Sequence, residues 1–113
     1  MPRLMSVALT ERAVVERRKT VTRRLGWRFL KPGDRLTLCR KVMGRKPGEP
    51  LVRICDVEVV SVGREPLSAI TDEDAAREGM PADREWFLAF FTEHMRCAPD
   101  AEVTRIEWRY LDE

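Results

Sequence analysis

The chain has 113 residues, of which 43% are hydrophobic and 35% are charged. That length is typical of one compact domain, and the composition is that of a globular protein rather than a disordered one. No apolar run is long enough for a transmembrane helix, and acidic residues interrupt the N-terminal segment where a signal peptide would need an apolar stretch. We therefore expect a single domain, residues 1–113, in a cytoplasmic protein with no membrane partner.

The net charge of +2 hides an uneven distribution along the chain. Residues 1–50 carry 14 Lys and Arg against 4 Asp and Glu, whereas residues 51–113 carry 7 against 15. A basic half is typical of a protein that binds an anionic partner, most often a nucleotide or a nucleic acid. The alternative is that the two halves neutralise each other once the chain has folded.

The N-terminal third predicts a short helix and then a basic segment. Residues 9–18 suit a short helix, because the acidic first turn and the basic last turn of the segment match the helix dipole. Thr10 can act as its cap. The segment Lys19–Arg24 (KTVTRR) is predicted to be a loop or an extended piece, since β-branched residues disfavour continued helix. A Pro-Gly pair predicts a turn at residues 31–34.

Three further stretches show the alternation or the composition of strands and loops. Residues 35–40 predict a half-buried strand, and residues 41–50 predict an exposed basic loop. Residues 51–62 give the strongest strand pattern, with a change of phase near residues 55–56 that indicates a β-bulge or a bend at a barrel corner. Residues 103–111 predict a closing strand with one apolar face and one charged, wet face.

Two helices are predicted between the long strand and the closing strand. Thr71 is the expected N-cap of the first helix, which should end near Gly79. The second helix should span residues 83–95 and carries apolar side chains at helical spacing, which favours core packing over a base-stacking surface. These side chains are Trp86, Phe87, Phe90, Phe91 and Met95.

The order of these elements predicts the fold class. Strands separated by turns, without regular βαβ units, favour an α+β fold with a largely antiparallel sheet. A small β-barrel with flanking helices would accommodate the bulge.

The three cysteines leave a zinc site as one alternative. An odd count without a C-x-x-C spacing argues against a disulfide framework. Cys39 and Cys55 fall within predicted strands, where small buried thiols are expected. His94 and Cys97 have an H-x-x-C spacing and, with the other two thiols, would supply four soft ligands. Buried thiols without a metal remain the favoured interpretation.

The basic segment carries the candidate chemistry. A lysine in a dense positive field should have a lowered pKa, so Lys19 could act as a general base. Thr22, three positions on, would be the hydroxyl that it deprotonates. Glu78 could fold back onto this segment and either transfer protons or orient the lysine. The neighbouring arginines could hold a phosphate, a carboxylate or a developing oxyanion, and the alternative is a solvated basic surface. The arginines expected to bind substrate or RNA are Arg18, Arg23 and Arg24.

The segment Lys19–Arg24, followed by residues 30–34 (LKPGD), resembles the ASCH domain family. The hallmark of that family is G-x-K-x-x-T-x-R, and Lys19, Thr22 and Arg24 match its last three defined positions. The resemblance implies a β-barrel similar to PUA domains, with helices at its side and a cleft lined by the motif. PUA-like domains commonly bind RNA.

One branch of the family, the N4-acetylcytidine amidohydrolases, uses a lysine base, a threonine nucleophile and a glutamate. The resemblance places these roles on Lys19, Thr22 and Glu78, because Thr71, Ala75 and Glu78 reproduce the pattern T-x-x-x-A-x-x-E. Glu73 is a second candidate by position. Hydrolysis of an acylated nucleoside or base would need no metal or organic cofactor. The alternatives are a non-catalytic RNA-binding module and a ribonuclease.

Two positions bear on these alternatives. Arg17 stands where the family has its glycine, so we expect the backbone to turn in another way and the arginine side chain to crowd or charge the cleft. His94 is the only histidine and lies on the aromatic helix, where a core or rim position is favoured over a catalytic one.

Overall fold

Five strands form one mixed sheet in the computed structural model, which describes residues 2–111. The order across the sheet is β1-β3-β4-β5-β2; β1 and β3 are parallel, and the other three pairs are antiparallel. The strands are β1 (Arg3–Ser6), β2 (Val21–Arg24), β3 (Arg35–Cys39), β4 (Arg53–Pro66) and β5 (Glu102–Tyr110).

Three α-helices accompany the sheet, so the predicted α+β class is confirmed. They are α1 (Glu11–Val15), α2 (Asp72–Arg77) and α3 (Arg84–Met95), with short 3-10 helices at Ala8–Thr10 and Leu67–Ala69. None of the helices within residues 2–111 is long and apolar enough to cross a membrane. The ends of the predicted domain, residue 1 and residues 112–113, lie outside the described residues.

The predicted barrel is a half-barrel. The sheet is open because β1 and β2 are both edge strands and do not pair with each other. A side chain spans the opening instead: Arg24 Nη2 on β2 donates to the Ser6 carbonyl at the end of β1 over 2.7 Å. The short strand β1 was not predicted, because its pairing with β3 joins residues more than thirty positions apart.

Strand β5 separates two hydrophobic clusters. Ile106 and Trp108 pack into the curl of the sheet with Met5, Leu36 and Leu38. A second cluster joins the start of β5 to α2, α3 and the 3-10 helix before them; its buried members are Leu67, Ile70, Ala75, Phe87, Phe91 and Val103. Strand β5 therefore contributes side chains to both hydrophobic clusters.

The charged face of β5 was predicted to be wet, and this is true only of Arg109, which is exposed. Arg105 and Glu107 on the same face are half-buried. Arg105 Nε donates to Asp74 Oδ2 over 2.9 Å, and Arg77 Nη2 donates to Glu107 Oε2 over 2.7 Å. Both partners come from α2, so ion pairs with this helix replace part of the expected contact with water.

Local boundaries follow the prediction with a few differences. The first helix ends at Val15 rather than near Arg18, and Thr10 makes no side-chain cap. The bulge lies close to the predicted place, because Leu38 pairs with Cys55 while Cys39 pairs with Arg53. The predicted cap of α2 is confirmed, with the Asp74 amide donating to the Thr71 hydroxyl over 3.1 Å.

Gly79 ends α2 in a conformation and a space that favour glycine. Its φ is +88°, and an added Cβ would lie 2.7 Å from the Ala13 Cβ on α1. The close approach brings the end of α2 against α1, directly after Glu78.

We predict that Gly79→Ala lowers the free energy of unfolding by at least about 2 kcal/mol, because the left-handed backbone and the contact with Ala13 both oppose a side chain. Gly48→Ala is the matched control, since Gly48 has a φ of +83° but no atom within 4 Å of an added Cβ. Urea unfolding should show a clearly larger loss for Gly79→Ala. Equal losses would mean that the contact with α1 contributes nothing.

Candidate active site

The basic segment folds into the protein rather than onto its surface. Strand β2 carries Thr22, Arg23 and Arg24, and Lys19 precedes it by two residues. Lys19 and Arg23 are each only 3% exposed, and Thr22 is 2% exposed. The predicted extended conformation is confirmed, and the alternative of a solvated basic surface is wrong for these residues.

The segment is held on both sides by backbone contacts. The Trp108 amide donates to the Thr20 carbonyl over 2.9 Å, and the Thr20 amide donates to the Arg77 carbonyl over 2.9 Å. The Lys19 carbonyl accepts from Trp108 Nε1 over 3.0 Å and from the Tyr110 hydroxyl. Lys19 is thereby fixed between β5 and the end of α2.

Glu78 accepts hydrogen bonds from two buried basic side chains. Lys19 Nζ donates to the Glu78 carbonyl over 2.7 Å and to Glu78 Oε1 over 3.1 Å. Arg23 Nη1 donates to Glu78 Oε2 over 3.1 Å. Because both carboxylate oxygens are held and the residue is only 3% exposed, Glu78 has one fixed orientation.

Burial lowers the pKa of Lys19, because the ammonium form loses its hydration. Glu78 opposes this effect, while Arg24 and Arg23 add smaller contributions that lower the pKa further. The sequence therefore predicted the direction of the shift, but it assigned the cause to the neighbouring arginines rather than to burial.

Thr22 lies beside Arg24, with Arg24 Nε donating to Thr22 Oγ1 over 3.2 Å. The guanidinium is itself anchored on the Ser6 carbonyl, and burial lowers its pKa. Among the hydrogen bonds of residues 2–111, none joins Lys19 directly to Thr22. The Thr22 oxygen accepts from Arg24, which leaves its own proton available to a base.

The guanidinium of Arg23 donates its hydrogen bonds to protein carboxylates. Besides Glu78, it donates from Nη2 to Asp74 Oδ2 over 2.6 Å and to Glu65 Oε2 over 3.2 Å. Its side chain is only 1% exposed. Arg23 borders the pocket, but its geometry is that of a structural centre linking β2, β4 and α2.

Two predicted candidates lie away from this centre. Arg18 is exposed and pairs with Glu16 over 2.7 Å, so the structure does not bring it to the pocket. Glu73 is exposed on α2 and does not border the pocket either. The structure brings together Lys19, Thr22, Arg23, Arg24 and Glu78.

These residues border a cavity of about 360 Å³. Its polar side is formed by the motif residues and Glu78, together with Thr10. Its apolar walls come from the 3-10 helix around Leu9 and from α3. The α3 residues along the cavity are Phe87, Phe90, Phe91, His94 and Met95.

The sequence analysis missed the contribution of residues 6–10 to this cavity. Nothing in that stretch has the spacing of a known site, and it reaches the pocket because β1 lies at the sheet opening. The helical spacing of the aromatic residues was the signal that could have pointed to α3 as part of a site. The sequence nevertheless favoured core packing for all of these residues. Phe87 and Phe91 are buried in the core, whereas Trp86 is 41% exposed.

The zinc alternative is contradicted. Cys55 packs against the cluster inside the sheet, Cys97 packs against the helical cluster, and His94 lies at the pocket. Within residues 2–111, no group of three or more His, Cys, Asp or Glu side chains could hold a metal ion. The three thiols are free, and burial raises the pKa of Cys39 and Cys55.

Arg17 adopts the left-handed backbone itself, with a φ of +60°. We expected an arginine at this position to require a different backbone turn from glycine, and this expectation was wrong. The guanidinium carbon lies 5.5 Å from the centre of the Tyr110 ring. Arg17 is not among the residues that border the cavity, so the expected crowding of the cleft is also wrong.

Two solved structures share this architecture at 16% sequence identity. A crystal structure of an Enterococcus faecalis protein of family DUF984 superposes with a TM-score of 0.71, covering 99% of this chain and 81% of that one. A crystal structure of an ASCH domain from Lactobacillus crispatus superposes with a TM-score of 0.64, covering 90% of this chain and 70% of that one.

The chain has the ASCH-domain fold. The fold implied by the sequence resemblance is therefore confirmed. No protein-family model matches the sequence, and no curated protein matches it. Because one fold supports many functions, the chemistry of this domain depends on its own residues.

We predict that acid weakens the ion network behind the pocket. Burial of Asp74 opposes its charged form, but hydrogen bonds from Arg105 and Arg23 outweigh this and hold its pKa at about 2, against an ordinary value of 3.8. The resulting stabilisation of about 2 kcal/mol is fully present above pH 3.8 and is lost as the pH falls towards 2.

Urea unfolding across that range should therefore show a smaller acid-dependent loss for Asp74→Asn than for the wild type. Asp100→Asn provides the control, because Asp100 is exposed in the turn before β5. If Asp74→Asn and Asp100→Asn have the same pH profile, Asp74 does not carry this stabilisation.

Proposed function

We propose that the protein is an amidohydrolase that removes the acyl group from an acylated nucleobase or nucleoside such as N4-acetylcytidine. The observation that carries the proposal is the buried Lys19, whose pKa is lowered and which is hydrogen-bonded to Glu78 in the same cavity as Thr22. A cavity of about 360 Å³ is at the small end of ligand pockets, which favours a nucleoside over a length of RNA.

The neutral form of Lys19 suits the role of general base. A neutral amine has two N–H donors and one lone pair. The two donors match the two contacts with Glu78, at the carbonyl and at Oε1, so the lone pair is left to accept a proton. Ligand binding would bring Thr22 into hydrogen-bond reach of Lys19, since catalytic contacts are often loose without substrate.

In the first step, the Thr22 proton passes to Lys19 Nζ while Thr22 Oγ forms a bond to the amide carbonyl carbon. The carbonyl oxygen becomes an oxyanion. Arg24 can stabilise this charge, because its guanidinium already lies 3.2 Å from Thr22 Oγ1 and is held in place by the Ser6 carbonyl.

In the second step, the carbon–nitrogen bond breaks and the leaving amine takes up the proton, relayed from Lys19 through Glu78. The acyl group remains as an ester on Thr22. Water then attacks the ester carbonyl carbon and loses one proton to the Lys19–Glu78 pair. The bond between that carbon and Thr22 Oγ breaks, and Thr22 Oγ takes up this proton. The products are a carboxylic acid and the free Thr22 hydroxyl, so atoms and protons balance.

The alternative of an RNA-binding module would use Lys19, Arg23 and Arg24 to contact phosphates. The saturation of Arg23 by three carboxylates disfavours this use, and the exposed Arg18 is not at the pocket. A ribonuclease would require general acid and base groups from the same Lys19 and Glu78. Amide hydrolysis gives a role to each of Lys19, Thr22, Arg24 and Glu78.

We predict that the wild-type protein converts N4-acetylcytidine to cytidine and that Thr22→Val abolishes the conversion. Valine keeps the branched shape of threonine but removes the nucleophilic oxygen. Thr22→Ser retains a hydroxyl and should remain measurably active. The conversion can be followed by ultraviolet absorbance, with circular dichroism confirming that each variant is folded.

Full activity in Thr22→Val would show that Thr22 is not the nucleophile. A wild-type protein that leaves N4-acetylcytidine intact and binds RNA with a steep dependence on salt would instead favour the binding-module alternative.

We also predict that kcat/KM rises with pH along its acid limb, because Lys19 must lose its proton to act as a base. The midpoint should lie below the ordinary lysine value of 10.5, since burial lowers the pKa of Lys19. Lys19→Met should remove both the activity and this limb. An activity that instead falls as the pH rises through the same range would contradict the role of Lys19 as base.

A further inference from the structure

The aromatic side chains of α3 divide into two groups. Phe87 and Phe91 are buried and belong to the helical cluster. Trp86, Phe90 and His94 follow each other at intervals of four residues and form a column of nearly parallel rings. The Trp86 and Phe90 centroids are 5.2 Å apart with planes at 7°, and the Phe90 and His94 centroids are 5.4 Å apart with planes at 14°.

One end of this column lies at the candidate active site. Phe90 and His94 border the same cavity as Lys19 and Thr22, whereas Trp86 does not. Phe90 lies between Trp86 and His94, so both of its faces are covered. His94 is the last ring of the column: Phe90 stacks on it, and no other ring contact of His94 is found among residues 2–111. The side chain is exposed and borders the pocket, so the column ends there.

We propose that His94 is the stacking platform for the planar base of the substrate, and thus determines specificity for a nucleobase amide over an aliphatic one. This inference rests on the proposed function, because it names how the same pocket selects its substrate. A base placed on His94 would continue the column as its next ring, since aromatic rings prefer offset parallel contacts. An aliphatic amide would gain no such contact.

The rest of the cavity suits this orientation. Leu9 and Met95 provide apolar walls near the column, whereas Lys19, Thr22 and Arg24 provide the polar side. A planar base against His94 would have apolar neighbours, and its exocyclic amide would be directed towards the motif residues. The division of the pocket into an aromatic wall and a polar side thus matches the two parts of an acylated base.

Binding can be tested without turnover in the Thr22→Val background. The probes are cytidine and N4-acetylcytidine, with N-butylacetamide as an amide that lacks a ring. Isothermal titration calorimetry would compare His94→Ala and His94→Phe with Glu93→Ala, an exposed neighbour on the same helix.

His94→Ala removes the base–aromatic stacking contact and should weaken binding of both nucleosides by about tenfold, which corresponds to about 1.4 kcal/mol. His94→Phe should restore the affinity, because phenylalanine keeps a flat ring. Glu93→Ala should change nothing, and N-butylacetamide should respond to none of these variants. Equal affinities of His94→Ala and Glu93→Ala for the nucleosides would overturn the proposal. It would also be overturned if neither nucleoside bound to the Thr22→Val protein.

Turnover separates this proposal from the proposed function. With Thr22 restored, His94→Ala should raise KM for N4-acetylcytidine by about the same factor, with a smaller change in kcat. Hydrolysis with an unchanged KM in His94→Ala would overturn the stacking role and leave the amidohydrolase function in place. Binding that depends on His94 without any hydrolysis would support the stacking role and overturn the function.

Discussion

The buried carboxylate of Glu78 is the contact on which the site depends. A buried charge is strongly unfavourable unless it is paired, and Glu78 is paired on one oxygen with Lys19 and on the other with Arg23. Lys19 and Arg23 are buried against this acid, and each donates a hydrogen bond to one of its carboxylate oxygens. Their pairing joins strand β2 to the end of α2. It thereby fixes the edge of the sheet that presents Thr22 and Arg24 to the cavity.

The opposite charges of the two halves of the chain meet at this site. The acids that pair with the basic segment Lys19–Arg24 all come from the second half, from β4, α2 and the residue after α2. Asp74 pairs with both Arg23 and Arg105, and Glu65 completes the surroundings of Arg23. Part of the basic segment is therefore neutralised inside the molecule. Among the ion pairs of residues 2–111 none involves Arg24, which donates instead to Thr22 and to the Ser6 carbonyl.

The cavity combines two chemical characters because two layers of the fold meet there. The opening of the half-barrel supplies polar groups, and α3 supplies aromatic rings. Two of these rings, Phe87 and Phe91, also belong to the helical cluster. Structures of an ASCH domain and of a DUF984 protein share the architecture at low identity, so the fold does not determine the substrate. The combination of a Lys–Glu pair, a threonine and a ring column is what gives this pocket its own chemistry.

The sequence alone selected Lys19, Thr22 and Glu78 as candidates, which the fold brings to one cavity, and it placed most of the strands and helices. Caps, alternation and a short motif are local patterns, so they can be recognised without the tertiary structure. The Thr71 cap and the extended KTVTRR segment follow from such patterns. Only the tertiary structure decided which charges are used up and which side chains face the cavity. The donors of Arg23 are used up because β2 packs against α2 and β4, which joins positions 42 to 55 residues apart. Arg18 pairs with Glu16, two residues away, and lies outside the pocket. The place of His94 at the pocket was likewise decided by the docking of α3, which helical spacing alone does not specify.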